Sequence, residues 1–167
     1  SSAGGAWHSA AIKTDGTLWV WGRNNYGQLG RGNTTNYSSP VQVGALTTWS
    51  KVSCGNNHTL AIKTDGTLWT WGSNNMGSLG QNLSPLTHRS SPVQVGALTT
   101  WDKLSGSTAY HSAAIKTDGT LWVWGNNSGG ALGLGTTTNY SSPVQVGVRT
   151  TWASVSTSPY DTFGIQT

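Results

Sequence analysis

The chain has 167 residues, which is enough for one domain with a sizeable hydrophobic core. Only 8% of the residues are charged, all five acidic residues are aspartates, and the formal net charge of +4 reflects this scarcity of acids and not a basic cluster. We therefore expect no nucleic acid among the partners, and the lack of any stretch near the roughly 18 apolar residues of a membrane-spanning helix argues against membrane insertion.

The chain is organised as an internal repeat that follows a short partial unit, residues 1–7. Ile-Lys-Thr-Asp-Gly-Thr-Leu-Trp begins at positions 12, 62 and 115, and Ser-Ser-Pro-Val-Gln-Val-Gly begins at positions 38, 90 and 141. The equivalent residues His8, His58, His111 and Asp161 are 50, 53 and 50 positions apart, and a second partial unit covers residues 153–167. A period of about 50 residues is typical of β-propeller blades, so residues 1–167 are treated as a single repeat region.

Each unit predicts four short β-strands, which in the second unit are Trp49–Cys54, 58–64, 67–71 and 92–95. An Asp-Gly pair joins the second and third strands of every unit, and this pair favours a two-residue type I′ hairpin turn. Because Pro92 cannot donate a backbone hydrogen bond, the fourth strand should lie at an edge of its sheet. No apolar period of 3.6 residues occurs, so essentially no helix is expected.

The third strand of the first unit is apolar on both faces. Leu18 and Val20 should point to one side of the sheet and Trp19 and Trp21 to the other, as in a sheet packed between two neighbouring sheets. A buried Trp removes roughly 150 to 250 Å² from water, so the paired tryptophans are expected to hold blades together and not to stack on a ligand. The predicted fold class is an all-β propeller of four-stranded antiparallel blades, with about three and a half repeats in this chain.

The run Leu-Trp-x-Trp-Gly-x-Asn-x-x-Gly-x-Leu-Gly at positions 18–30, followed by Ser-Pro-Val-Gln-Val, resembles the regulator of chromosome condensation repeat. The resemblance covers nearly the whole chain and implies a ring that usually has seven four-stranded blades. The near-identical units look most like the bacterial and phage members of that family. Three complete units cannot close such a ring, so either several chains complete it or this chain is a segment of a longer polypeptide, which is the arrangement we favour.

The residues that could carry chemistry have structural explanations. His8, His58 and His111 recur at one place in successive units, where a ring of blades keeps them too far apart to share a metal ion. Aspartates 15, 65 and 118 belong to the hairpin turns, lysines 13, 63 and 116 are expected on a solvated rim, and Cys54 is not repeated. We predict no catalytic, metal or cofactor site and no enzymatic activity. Nucleotide exchange on a small GTPase, an activity found in the resembled family, is implied here by the family name alone.

The loops vary between units whose strands match, which is the pattern of a scaffold that presents a binding surface. Neutral drift in loops would give the same variation. The candidate contact residues in the loop after the third strand are Arg23, Tyr26, Gln28 and Met76. The loop at 81–89, which is longer than its counterparts, adds Leu83, Leu86, His88 and Arg89.

These observations predict a non-enzymatic structural or interaction module that contacts other protein subunits, either further copies of itself or assembly partners, through its loops and blade faces. The low charge and the resemblance to phage and bacterial repeats indicate a virion, such as a tail or decoration protein, or a bacterial surface, and hence an extracellular location. The alternative is a carbohydrate-binding propeller with one shallow glycan site per blade, built on exposed aromatics such as Tyr26, Tyr37 and Tyr140.

Overall fold

The protein forms a series of separate β-sheets in chain order, as described for residues 1–83, 86–106, 108 and 110–167 of a computed structural model. Blade 1 contains β1 (Ser2–Gly4), β2 (His8–Ile12), β3 (Leu18–Gly22) and β4 (Tyr37–Gln42). Blade 2 contains β5 (Trp49–Cys54), β6 (His58–Lys63), β7 (Leu68–Gly72) and β8 (Arg89–Gln94). Blade 3 contains β9 (Trp101–Ser105), β10 (His111–Lys116), β11 (Leu121–Gly125) and β12 (Tyr140–Gln145), and a half-blade contains β13 (Trp152–Thr157) and β14 (Thr162–Gln166).

The predicted all-β architecture of antiparallel four-stranded blades is confirmed. Each complete sheet has its strands in sequence order, and every neighbouring pair is antiparallel. Among the described residues the only helical segment is a single 3₁₀ turn at Asn75–Gly77, and no helix in that part of the chain is long and apolar enough to cross a membrane.

The strand bounds of the second unit match the sequence prediction for β5 and differ by one residue at the ends of β6 and β7. The outer strand β8 begins at Arg89, three residues before the predicted start, so Pro92 lies inside the strand. This is possible because β8 pairs only with β7 and its other side is an open sheet edge, where a missing N–H breaks no ladder.

The Asp-Gly hairpins have a geometry other than the predicted type I′ turn. Asp15 is not among the residues with positive φ, whereas Gly16 has a φ of 79°. Gly16 N donates to the Lys13 oxygen and Lys13 N donates to the Thr17 oxygen, so three residues form the loop. This arrangement is a type I turn followed by a glycine bulge. The Asp15 carboxylate stabilises it by accepting hydrogen bonds from the Thr17 N–H and hydroxyl groups.

The blades are arranged with their first strands innermost. β1 contacts β5, β5 contacts β9, and β9 contacts β13, while β4, β8 and β12 form the outer edges of their sheets. The fourth strands therefore lie on the outside of a fan of blades, which is the arrangement of a propeller.

The core lies between blades, and the two faces of each sheet contribute different residues to it. The aliphatic face of blade 1, with Leu18 and Val20, packs against the tryptophan face of blade 2, which includes Trp49 and Trp71. The same pairing recurs between blades 2 and 3 around Trp101 and Trp124. The predicted opposition of aliphatic and tryptophan faces is thus confirmed, and the fully buried indoles of Trp71 and Trp124 are structural.

Candidate interaction surface

The surface that carries the variable residues is formed by the turns between first and second strands and the long loops between third and fourth strands, and it is called the loop face here. Buried asparagines hold the long loops rigid. Asn24 accepts a hydrogen bond from the Leu29 N–H at 2.8 Å, and its amide nitrogen donates to the Asn33 and Thr35 carbonyl oxygens. Asn127 makes the equivalent set of contacts in blade 3. These hydrogen bonds tie the long loops of blades 1 and 3 to the scaffold.

Hydrogen bonds from the repeated histidines join successive blades beneath this face. His8 Nε2 lies 2.8 Å from Thr59 Oγ1, His58 Nε2 lies 2.9 Å from Ser112 Oγ, and His111 Nε2 lies 3.0 Å from Thr162 Oγ1. Burial lowers the pKa of His8 to about 4 and that of His58 to about 3, and it also lowers the pKa of His111. The neutral imidazoles act as connectors between blades, with their Nε2 atoms occupied by hydroxyl groups.

Other side chains of chemical interest are also used by the fold. Within the described residues, no group of three or more His, Cys, Asp or Glu side chains is placed to hold a metal ion. Burial raises the pKa of the Cys54 thiol to about 12, so the thiol is a poor nucleophile. Asp65 and Asp118 repeat the hairpin contacts of Asp15. These side chains are therefore engaged in the fold.

The predicted solvated rim holds for one of the three hairpin lysines: Lys13 is exposed, whereas Lys63 is half-buried and Lys116 is buried. Lys13, Lys63 and Lys116 place their ammonium groups 3.8, 3.7 and 3.6 Å from the ring centroids of tryptophans 19, 69 and 122. Lys116 is buried, and desolvation lowers its pKa. The correction has a simple cause, because Lys and Trp face each other across the same hairpin and the cation is attracted to the indole ring.

The predicted contact residues in the loops that follow the third strands of blades 1 and 2 are buried to different extents. The guanidinium of Arg23 lies 5.6 Å from the Trp7 ring centroid, and Tyr26 packs edge-on against His88 at 5.0 Å. Met76 is exposed on the loop face and has a φ of 57°, which is uncommon for a residue other than glycine. Gln28 is fully buried and its Oε1 accepts the Tyr26 N–H at 2.9 Å, so the surface of this chain does not present it as a contact residue, contrary to the prediction.

The longer loop of blade 2 contributes both to the surface and to the scaffold. Leu86 and His88 are exposed, whereas Leu83 and Arg89 are half-buried. His88 also has a structural role, since its Nδ1 accepts the Asn74 N–H at 3.0 Å. Residues 84 and 85 of this loop lie outside the described part of the chain.

Leu86 and Met76 line a cavity of about 370 Å³ together with Asn75, Tyr110 and Asn126. It lies between the long loop of blade 2 and the first turn of blade 3. Tyr110 was not among the predicted residues, although it occupies a position of interest: it immediately precedes the repeated histidine. The residues at this position in the four blades are Trp7, Asn57, Tyr110 and Tyr160, and the three aromatics are 58%, 41% and 81% exposed.

This row of aromatics could have been found from the sequence by comparing the residues that precede His8, His58, His111 and Asp161. The tyrosines proposed for glycan stacking are instead largely taken up by the scaffold. Tyr37 and Tyr140 are half-buried and pack against the hydrophobic core clusters of blades 1 and 3, and Tyr26 is half-buried against His88.

Comparisons with known proteins agree with this architecture. The family model of the regulator of chromosome condensation (RCC1) repeat matches residues 15–62, 65–115 and 118–163. The ultraviolet-B receptor UVR8 of Arabidopsis thaliana is 36% identical over 148 residues, which are 86% of this chain and 33% of the receptor. The X-linked retinitis pigmentosa GTPase regulator of the dog, Canis lupus familiaris, is 36% identical over 146 residues, which are 84% of this chain and 14% of that protein.

Two solved structures show the same fold. Prp20p of Saccharomyces cerevisiae superposes with a TM-score of 0.83 at 20% identity, over 100% of this chain and 44% of that one. Human WBSCR16 superposes with a TM-score of 0.82 at 22% identity, over 97% of this chain and 43% of that one. This chain therefore spans less than half the length of each of these relatives. The chain belongs to the regulator of chromosome condensation (RCC1) repeat family of β-propellers.

Proposed function

We propose that this protein is a non-enzymatic interaction module that binds other proteins through its loop face. The observation that carries the proposal is the group of exposed side chains Met76, Leu86 and Tyr110 around one cavity of the loop face. Aromatic and methionine side chains are enriched at the centres of protein interfaces, and here they are presented by loops that are anchored from below.

Relatives of this chain provide support from outside the structure. The structure of yeast Prp20p was reported with its binding to Gsp1p and histones, and another structure shows Kap60 bound to yeast RCC1. These partners are partners of the yeast proteins. What is carried over is the use of a propeller of this repeat to bind proteins, and the partner of this chain is expected to be another protein subunit, either a further copy or an assembly partner.

The strain at Met76 adds to the case for the loop face. Met76 has a φ of 57°, and a non-glycine residue in this conformation costs of order 1–3 kcal/mol. Tyr26, at the same position of blade 1, does not have positive φ, and blade 3 has Gly129 there. The strained backbone therefore places an apolar side chain at the mouth of the cavity shared with Leu86 and Tyr110.

The setting we propose is a virion or a bacterial surface. Only 8% of the residues in the chain are charged, so most of its polar side chains are neutral. Such a composition suits an extracellular location. Immunogold labelling of virions and of intact source cells tests this part of the proposal, and a signal confined to the cell interior would contradict it.

The binding proposal is tested with the double variant Met76→Ser/Tyr110→Ser, which removes two of the three large apolar or aromatic side chains that line the cavity without touching the core. Val148→Ser is the matched control, since Val148 is 91% exposed and does not line that cavity. Immobilised full chain is exposed to virion proteins or to a surface-protein extract of the source organism, and bound proteins are quantified by mass spectrometry. We expect at least one protein to be lost from the double variant and retained by the control. Equal recovery by all three chains would contradict the proposal.

A glycan is the alternative ligand of the same cavity, because Asn75 and Asn126 line it together with Tyr110. Amides can exchange hydrogen bonds with hydroxyl groups while the ring packs against a sugar face. A glycan array separates the two candidates: binding that disappears in the double variant would favour the glycan. The absence of enzymatic activity is tested by nucleotide release from a small GTPase, which we expect the chain not to accelerate.

A further inference from the structure

The chain has one cysteine and one methionine, and the structure places their two sulfur atoms in opposite environments. Cys54 is buried, and burial raises the pKa of its thiol to about 12, so the reactive thiolate does not form near neutral pH. Met76 is 49% exposed on the loop face. An oxidant dissolved in water therefore reaches the thioether of Met76 and not the thiol of Cys54.

The turn that carries Met76 is held against blade 3. The 3₁₀ turn Asn75–Gly77 packs on β11 and β12. Gly77 comes so close to Ser141 of β12 that a Cβ atom on the glycine would lie 2.6 Å from the Ser141 Cα atom. The three hydrophobic core clusters of the described residues do not include Met76. A chemical change at the Met76 side chain therefore leaves the packing of the core in place.

A side-chain amide of blade 3 lies beside the Met76 sulfur. Asn139 Nδ2 donates a hydrogen bond to Met76 Sδ at 3.4 Å. The orientation of this amide is fixed, because Asn139 Oδ1 accepts the Asn127 N–H at 2.7 Å and leaves the nitrogen to face the sulfur. A thioether is a weak acceptor, whereas methionine sulfoxide is a polar group. The site thus holds a positioned donor for an oxygen atom on this sulfur.

We propose that Met76 is a site of reversible oxidation, at which hydrogen peroxide converts part of the loop face from an apolar to a polar surface. Peroxide transfers one oxygen atom to a sulfur lone pair: a sulfur–oxygen bond forms, the O–O bond breaks, the sulfur is oxidised and the peroxide is reduced to water. The Asn139 amide donates to the new oxygen. Methionine sulfoxide reductases and a thiol reductant restore the thioether, with water and a disulfide as the other products.

The oxidation changes the chemistry of the cavity that Met76 shares with Leu86 and Tyr110. A sulfoxide in place of the thioether adds a polar group that a partner must desolvate on binding. This consequence rests on the proposed function of the loop face: the oxidised chain binds its protein partner about tenfold more weakly or worse. The reaction at the sulfur itself requires no partner.

The first test follows the reaction without a partner. The full chain is treated with millimolar hydrogen peroxide, and peptide mapping by mass spectrometry should locate one added oxygen atom at Met76 and none at Cys54. In the ¹H–¹⁵N spectrum the side-chain amide signals of Asn139 should shift, and those of Asn36 should not. Asn36 is the matched control, because its Oδ1 accepts the Asn24 N–H in blade 1 while the single methionine contacts Asn139.

Two outcomes of this first test would overturn the proposal. One is oxidation of Cys54 before Met76, which would show that burial does not separate the two sulfur atoms. The other is oxidation of Met76 that leaves the Asn139 signals unchanged or shifts those of Asn36 equally, which would show that the Asn139 amide does not engage the sulfoxide.

The second test repeats the capture experiment of the loop face with chain that has been oxidised and freed of peroxide. It should lose the protein that untreated chain retains, and reductase treatment should restore capture. Met76→Leu, whatever its own affinity, should bind equally before and after peroxide, since it has no thioether. Equal capture by oxidised and untreated wild-type chain, or a loss that Met76→Leu shares, would overturn the effect on binding. If no chain captures any protein, the proposed function of the loop face fails and its regulation with it, whereas the first test still decides the oxidation of Met76.

Discussion

Trp71 Nε1 lies 2.9 Å from the carbonyl oxygen of Gln28, on the opposite side of the boundary between blades 1 and 2. The same oxygen accepts the hydroxyl of Thr59 at 2.8 Å, and at the next boundary the Ser78 oxygen accepts Trp124 Nε1 and Ser112 Oγ. One carbonyl of the long loop in blade 1 and one in blade 2 therefore each anchor the indole and the hydroxyl of the following blade. With the histidine contacts, these bonds fix the angle at which one blade meets the next.

Replacement of Trp71 by alanine should destabilise the chain by about 3–5 kcal/mol, because it opens a cavity in the core and leaves the Gln28 carbonyl with one donor fewer. Trp19→Ala is the control, since Trp19 lies at the equivalent strand but is only half-buried, and its replacement should cost distinctly less. Urea unfolding followed by circular dichroism measures both. Equal losses for the two variants would show that burial at the blade boundary does not set the stability.

Stability should fall as the pH decreases from about 6.5 towards 4. Burial depresses the pKa of His8 to about 4 and that of His58 to about 3 from an ordinary value of 6.5, so the unfolded chain binds protons that the native chain does not. The contribution of these groups is complete above the unfolded pKa and is lost as the pH falls below it. Urea midpoints measured across this range should decrease, and His58→Asn should reduce the slope. A slope that is unchanged in the variant would exclude His58 as a source.

Gly66→Ala should destabilise the second hairpin by about 1–3 kcal/mol. The φ of Gly66 is +77°, and a Cβ atom at this position would lie 2.1 Å from the Thr99 carbonyl oxygen. Gly4→Ala is the control, because a Cβ atom there meets nothing within 4 Å and its φ is not positive. Thermal unfolding of both variants is the measurement, and a neutral Gly66→Ala would contradict the assigned turn.

His88→Asn should leave the stability within about 0.5 kcal/mol of the wild type, whereas His88→Ala should lose about 1 kcal/mol. His88 Nδ1 accepts the Asn74 N–H in blade 2, and at the equivalent positions Asn36 and Asn139 accept the corresponding N–H groups through their side-chain oxygens. The asparagine variant restores an acceptor, and the alanine variant does not. Urea unfolding that ranks the two variants equally would show that the loop does not depend on this bond.

The fold could be predicted from the sequence because every unit repeats the same strand signals and the same two-faced third strand. The hairpin type could not be derived from Asp-Gly alone, since Lys13 and Thr17 close a loop one residue longer than the dipeptide rule assumes. The exposure of the candidate contact residues could be predicted only in part. The residues that differ between units include both exposed and buried positions. Gln28 is a buried one, and its equivalents in the other long loops are Ser78 and Ala131.

Tyr110 was missed for a related reason: it sits outside the motifs that define the repeat, next to a histidine that drew attention for its chemistry. The pockets between blades are formed by side chains of two different units that face each other. Local patterns in the sequence do not show which side chains form such pairs. Comparing equivalent positions from unit to unit is the way to find residues such as Tyr110 in the sequence.

At each junction between complete blades, the backbone acceptor belongs to one unit and the donors belong to the following unit. A unit with a neighbour on both sides therefore provides donors to one junction and an acceptor to the other. A copied unit can thus be inserted next to its parent with both junctions already complementary, and no compensating substitution is needed at either side. The loop side chains of each copy can diverge independently, because the acceptor at each junction is a backbone carbonyl oxygen.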